Sequence, residues 1–210
     1  MKARTMKKIS SSALFIQAAG LNLFFLLSIL LSSLTVRAQI VIDPPVLAPV
    51  KARYLVARST WGVLSTISAD LGGAPFGTVV SFSDGEPKHG FGVPYFYLAE
   101  LEPIGRDEIN GTRAALTVSE ASRGTCGGDI QSPGCKRTTL TGKLTWISLE
   151  DPEVKFAQVA LFTKHPEMES WPSDQNFKIY KLDLEDIFLV DKFGKPTHPT
   201  LKDYLKIPPI

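Results

Sequence analysis

The chain has 210 residues, 44% of them hydrophobic and 21% charged, enough for one well-packed domain and too apolar for wholesale disorder. Its formal charge is +2, yet residues 1–38 hold Lys2, Arg4, Lys7, Lys8 and Arg37 and no acid, which leaves residues 39–210 with 18 basic against 21 acidic side chains. A body with that balance gives no general basic surface for collecting phosphates, and no nucleic-acid partner is expected.

Residues 1–38 read as a signal peptide. A basic stretch ends at Lys8, Leu21 to Leu31 is the apolar heart, and Val36-Arg37-Ala38 offers a cut site before Gln39. The uncharged stretch is also long enough for a retained anchor. Cleavage is the favoured reading, with entry into the secretory pathway and no membrane association after the cut.

Residues 39–49 are Pro-rich and expected as an extended arm, ahead of a domain at 50–210. Pro49 to Ser59 reads as a helix with Val50, Tyr54, Leu55 and Ala57 on its apolar stripe. Gly62–Ser68 and Phe76–Phe82 alternate as strands around a Gly-Gly turn and suggest a hairpin. Ser83 to Gly92 has the composition of a loop, and Val93–Leu98 that of an aromatic strand. Pro103 to Asn110 suggests a short helix, and Arg113–Ser119 a strand.

Cys126 and Cys135 are the two cysteines, and they bracket an eight-residue loop, Gly127 to Gly134. In an oxidising compartment this spacing reads as a local disulfide. The competing metal pair lacks a second Cys/His pair, because His89, His165 and His198 are scattered, and no metal is expected. Asn110-Gly111-Thr112 is a glycosylation sequon that also reads as a plain turn. Thr138–Ile147 is a long strand with Gly142 at a bulge. Asp151-Pro152 opens a helix through Lys164 that buries Val154, Ala157, Ala160 and Leu161. Two strands, Phe177–Leu182 and Asp186–Phe193, and a terminal helical turn at 199–205 complete a mainly antiparallel barrel with helical cover, mainly β with helices in class.

Enzyme signatures are missing: there is no G-x-S-x-G, H-E-x-x-H or G-x-G-x-x-G. His165 stands where an imidazole complements a helix C-terminus and could bond its last carbonyls. Asp84-Gly85 and Glu86 are accounted for by a turn. Trp61, Trp146 and Trp171 read as core or interface aromatics.

Several strings together resemble the CREG family of secreted cellular-repressor glycoproteins. They are Trp61-Gly62 with Leu64–Ser68, Pro75-Phe76-Gly77 with Phe82–Gly85, Gly92–Leu98, Gln131–Cys135, Leu161–Met168 with Trp171-Pro172, and Val190-Asp191 with Phe193-Gly194 and Lys195-Pro196. They run in colinear order across roughly residues 50–206. The resemblance implies an antiparallel split β-barrel of the FMN-binding type, related to pyridoxamine-phosphate oxidase-like flavoproteins and homodimeric. It further implies that a loop occupies the flavin pocket, here Asp129, Ile130, Gln131 and Ser132. On this reading the protein is a non-catalytic secreted or endolysosomal glycoprotein. It binds no cofactor and acts through a receptor or another protein partner in growth or differentiation control. The alternative is an FMN-dependent oxidoreductase that draws on Arg113, Lys136 and Arg137 for the phosphate.

Overall fold

The computed structural model describes residues 44–99, 111–191, 193 and 196–210. The leader at 1–38, residues 39–43 of the expected arm, the helix expected at 103–110 and Asn110 lie outside the described residues. Six strands are described: β1 (Trp61–Ser68), β2 (Ala74–Glu86), β3 (His89–Ala99), β4 (Arg113–Ser119), β5 (Arg137–Trp146) and β6 (Phe177–Val190). They close an antiparallel barrel in the order β1–β2–β3–β6–β5–β4, with β4 returning to β1. Among the described residues closure gives every strand a neighbour on both sides. This is the split-barrel architecture with helices that the resemblance implies.

Alternation fills the barrel. Leu64, Phe82, Phe96, Leu116, Leu140, Leu144, Leu182 and Ile187 point inward and are buried. Helix α1 (Pro44–Arg58) adds Ala48, Ala52, Leu55 and Val56 to the same core, as does Tyr204 of the short α3 (Leu201–Leu205). Outside the barrel, α2 (Glu153–Lys164) lays Val154, Ala157 and Leu161 on Tyr95, Ile147 and Ile179. The α2 start follows its sequence signal: the Asp151 side chain accepts from the Glu153 N–H at 2.8 Å, with Pro152 between them. Among the described residues no helix is long and apolar enough to cross a membrane.

Four expectations are corrected. The expected arm is helical from Pro44, because Ala48 continues the buried stripe one turn ahead of Ala52. That stripe runs through Ala52, Leu55 and Val56, while Val50 and Tyr54 face solvent. The expected loop at 83–92 is instead a hairpin, with β2 and β3 separated by Pro87-Lys88, where Lys88 takes φ 69°. Finally, the two closing strands are one 14-residue strand that bends at Glu185. Glu185 is the extra residue opposite Thr141 and Gly142, so the bulge forms where Gly142 suggested it, on the partner strand. Gly142 is required there, since a Cβ would stand 1.9 Å from the Asp183 carbonyl oxygen.

Candidate functional site

The cysteine loop joins β4 to β5, and Cys126 and Cys135 are bonded to each other. Its base is a single turn of 3-10 helix, Glu120–Arg123, capped by Ser119, whose Oγ accepts from the Ala121 N–H. Glu120 ties the two ends of the connection together, accepting from the Lys136 N–H at 3.1 Å and from its ammonium at 3.0 Å. Beyond the disulfide, local polar side chains set the backbone. Asp129 accepts from the Gln131 N–H at 2.7 Å, Ser132 from the Gly134 N–H at 3.3 Å, and the Gln131 carbonyl from Arg137 at 3.1 Å. The result is a pinned loop whose tip, Ile130, is 68% exposed. Asp129 and Gln131 are exposed beside it and Ser132 is half-buried.

The outer face of the adjoining sheet has an unusual pattern. In β1 the small polar residues Thr66 and Ser68 are buried inward, whereas Val63 and Ile67 face outward. Register places Val63 between Val79 of β2, 64% exposed, and Thr117 of β4, which bonds Thr139 of β5 through their hydroxyls at 2.9 Å. The next row is Gly77, Ser65, Ala115 and Thr141. Two rows across four strands therefore carry no charge. A groove of about 410 Å³ lies at the far end of these strands from the cysteine loop, lined by Ser65, Ile67, Pro75, Arg113 and Thr141. Val63, Ile67 and Val79 thus form an outward apolar patch on the barrel.

A second polar constellation lies inside. Arg53 of α1 is fully buried. It donates to the carbonyls of Gly90 at 2.6 Å and of Tyr204 and Ile207 at 3.3 Å each, and it stacks 5.3 Å from the centre of the Tyr204 ring. The Tyr204 hydroxyl donates to the Gly92 carbonyl at 2.9 Å. Asp84, also buried, accepts from the Gly92 N–H at 3.1 Å and faces the Lys164 ammonium at 3.8 Å. Gly90 and Gly92 make room for this: a Cβ on Gly90 would meet the Asp84 carboxylate at 2.4 Å, and one on Gly92 the Arg53 Nε at 2.5 Å. Burial pushes the Asp84 carboxyl above the usual carboxylate range, against the pull of Lys164, the Gly92 N–H and Arg53. Burial likewise lowers the Lys164 ammonium, against the pull of Asp84. The cluster joins α1, the β2–β3 hairpin, α2 and the C-terminal segment, whose Ile210 pairs with Gly90 through both backbone groups. Its bonds tie these four elements together.

Sequence reasoning missed this cluster, reading Asp84 as a turn residue and leaving Arg53 unmarked. The available signal was Gly90-Phe91-Gly92, two glycines on one face of a strand, where a neighbouring backbone or side chain comes close. His165 is corrected as well. It caps the C-terminus of α2 as expected, its backbone N–H donating to the Leu161 carbonyl at 2.8 Å, but the ring is buried and bonds the Phe82 carbonyl of β2 at 3.0 Å. His89 and His198 are surface residues. Among the described residues no three His, Cys, Asp or Glu side chains stand close enough to hold a metal.

The trio considered for a flavin phosphate does not converge. Arg113 opens β4 and pairs with Glu185 at 3.5 Å. Lys136 and Arg137 sit at the other end of the β4–β5 pair, six residues and roughly 20 Å away. Within one chain these cations form no phosphate cradle, and no chemistry through FMN follows from them.

Comparison with known proteins places these features in context. Residues 44–206 match the model of the CREG β-barrel family. The chain is 38% identical over 185 residues to Protein CREG1 of Gallus gallus, spanning 85% of this chain and 95% of that protein. It is 38% identical over 161 residues to Protein CREG1 of Homo sapiens, spanning 74% of this chain and 72% of that protein. Among solved structures, a heme binding protein from Mycobacterium smegmatis superposes with a TM-score of 0.62 at 19% identity. That match covers 79% of this chain and 62% of the other, a likeness of fold.

Proposed function

Because the chain belongs to the CREG β-barrel family, we propose that it works as a non-catalytic homodimer in the secretory pathway, extracellular or endolysosomal, glycosylated at Asn110 after removal of residues 1–38. Two copies pack through the uncharged outer face of β1, β2, β4 and β5. The cysteine loop of each copy, Asp129 to Ser132, fills the pocket that flavoproteins of this fold use for FMN, so no cofactor is held. The dimer then acts on a receptor or another protein in growth or differentiation control.

The observation that carries this reading is the loop itself: a disulfide-pinned tip presenting Ile130 at 68% exposure. Ordering an apolar tip toward water gains nothing within one chain, whereas a pre-organised tip lowers the entropic cost of entering a partner's pocket. The geometry of an isologous contact supports the assignment. A two-fold axis through the middle of the β1–β4 pair brings the loop end of one protomer over the opposite strand ends of its partner, where the 410 Å³ groove lies.

The test is the native protein from a secretory host. A colourless dimer by light scattering, with leader removed and a glycan at Asn110, is the expected result. Deletion of Asp129 to Ser132 with retention of both cysteines should leave a protein that takes up FMN in titration if a masked pocket lies beneath. A yellow protein with one FMN per chain would establish the FMN-dependent oxidoreductase instead.

A further inference from the structure

A cationic surface lies where α1 meets the base of the cysteine loop. On the solvent side of α1, the Tyr54 ring lies 5.4 Å from the Arg58 guanidinium and 5.5 Å from that of Arg123. The two arginines come from different elements, α1 and the 3-10 turn Glu120–Arg123, and they meet on one aromatic ring. Lys136 reaches the same turn from the start of β5. Negative charge there is scarce. Glu120 alone serves both Lys136 at 3.0 Å and Arg123 at 3.7 Å, and no carboxylate among the described residues pairs with Arg58. Arg123 also keeps a buried Nε without an acceptor among the described residues. Three cations against one carboxylate leave an excess of two positive charges on a small area of a body whose overall balance is acidic.

We infer that Arg58, Tyr54, Arg123 and Lys136 form a binding surface for a linear polyanionic polysaccharide, one bearing sulfate or carboxylate groups along its length. Guanidinium groups take such oxyanions through paired N–H donors, and the shared ring holds both forks in place before the ligand arrives. Tyr54 and Arg58 are exposed and Arg123 is partly buried, and none of the four side chains lines the groove described above, so a free small anion would gain few contacts. A repeating polyanion gains from several sites at once and from the counterions it sheds. This inference needs no occupied or empty FMN pocket, and it leaves the loop tip, Ile130, out of the site.

Binding to heparin and to polygalacturonate of matched length, read by fluorescence anisotropy at low salt, tests it and separates sulfate from carboxylate recognition. Retention of either polymer is the expected result, with affinity falling ~tenfold in Arg58→Ala/Arg123→Ala and the salt dependence flattening by about two ion contacts. Tyr54→Ala, which keeps every charge, should weaken binding by a smaller factor through loss of the shared ring. Lys143→Ala/Lys155→Ala removes the same charge from other exposed positions and should bind as the parent does. Equal loss in both double variants would reduce the effect to net charge and overturn the site. So would no binding, or equally tight binding of an RNA homopolymer that the arginine pair does not govern. Matching melting temperatures confirm that the variants are folded when these comparisons are made.

Discussion

The buried charge cluster and the cysteine loop use the same vocabulary of glycines, a carboxylate and cations, and they use it in opposite ways. Around Arg53 and Asp84, glycines remove side chains so that charged groups can sink into the core and find backbone partners. In the loop, glycines and polar turns keep the backbone outside, and one carboxylate, Glu120, clasps the base. Interior charge here is bound up with holding four elements together, whereas the loop holds only itself and points its apolar tip away. A change in the first region should therefore be read in folding, and a change in the second in association.

Arg53→Ala breaks the comparison most sharply if it fails. It deletes a fully buried cation that serves three carbonyls and leaves Asp84 with less compensating charge. Urea unfolding should show a loss of about 3–5 kcal/mol, the range for breaking a buried charge network. Gly92→Ala should cost about 2–4 kcal/mol, since it combines a φ of 85° with a collision against Arg53. The double variant should cost less than the sum, because the collision disappears with the arginine. Additive losses would mean that the two residues do not share one site.

Much of this architecture is legible in the sequence. The strand alternation, the Gly-Gly turn after β1, the Asp151-Pro152 start of α2 and the bulge at Gly142 all carry local signals that the fold obeys. What escaped depends on which side of an element faces the core. In β1 both faces contain apolar residues, so periodicity identifies a strand without saying that Val63 and Ile67 point outward. The segment from Ser83 to Gly92 looks like a loop because Asp, Gly and Pro are turn formers in isolation. Lys164 and Arg53, distant in the chain, join the Gly92 N–H in making a buried Asp84 tolerable. The same holds for α1: a helix was legible, but its buried stripe was set by the barrel beneath it.

Opening the loop should cost less than opening the core. Cys126→Ser/Cys135→Ser releases a closed segment of nine residues' separation, worth roughly 2–3 kcal/mol by chain entropy. The far-ultraviolet spectrum should be retained, because the loop touches the barrel only at strand ends, through Arg137 to the Gln131 carbonyl and Ser119 to Cys135. Collapse of the barrel in this variant would erase the distinction between the two regions.

Alkali tests the interior by another route. Burial raises the ionisation of Tyr204 far above its ordinary value, and burial with the Glu153 hydrogen bond does the same for Tyr95. A raised folded value means that stability is intact below the unfolded tyrosine value, about pH 10, and is lost as pH rises beyond it. Each such tyrosine should contribute a decline of about 1.4 kcal/mol per pH unit above that point. Ultraviolet titration should show these phenols ionising only with unfolding.

The smallest effect on folding belongs to Ile130. Its side chain stands 68% exposed at the loop tip, so Ile130→Ser should change the stability of a single chain by no more than about 0.5 kcal/mol. Association should respond differently. If each tip enters the partner's pocket, two isoleucines are buried per dimer, each worth about 1.5–3 kcal/mol of transfer free energy. Sedimentation should then show the dimer dissociating at protein concentrations at least tenfold higher than for the parent. Val79→Ser, on the outer face but away from the loop, should weaken the dimer without admitting FMN. Ile130→Ser should do both if the tip is what closes the pocket. An unchanged dimer in Ile130→Ser would confine the interface to the sheet face and leave the loop free for a different partner.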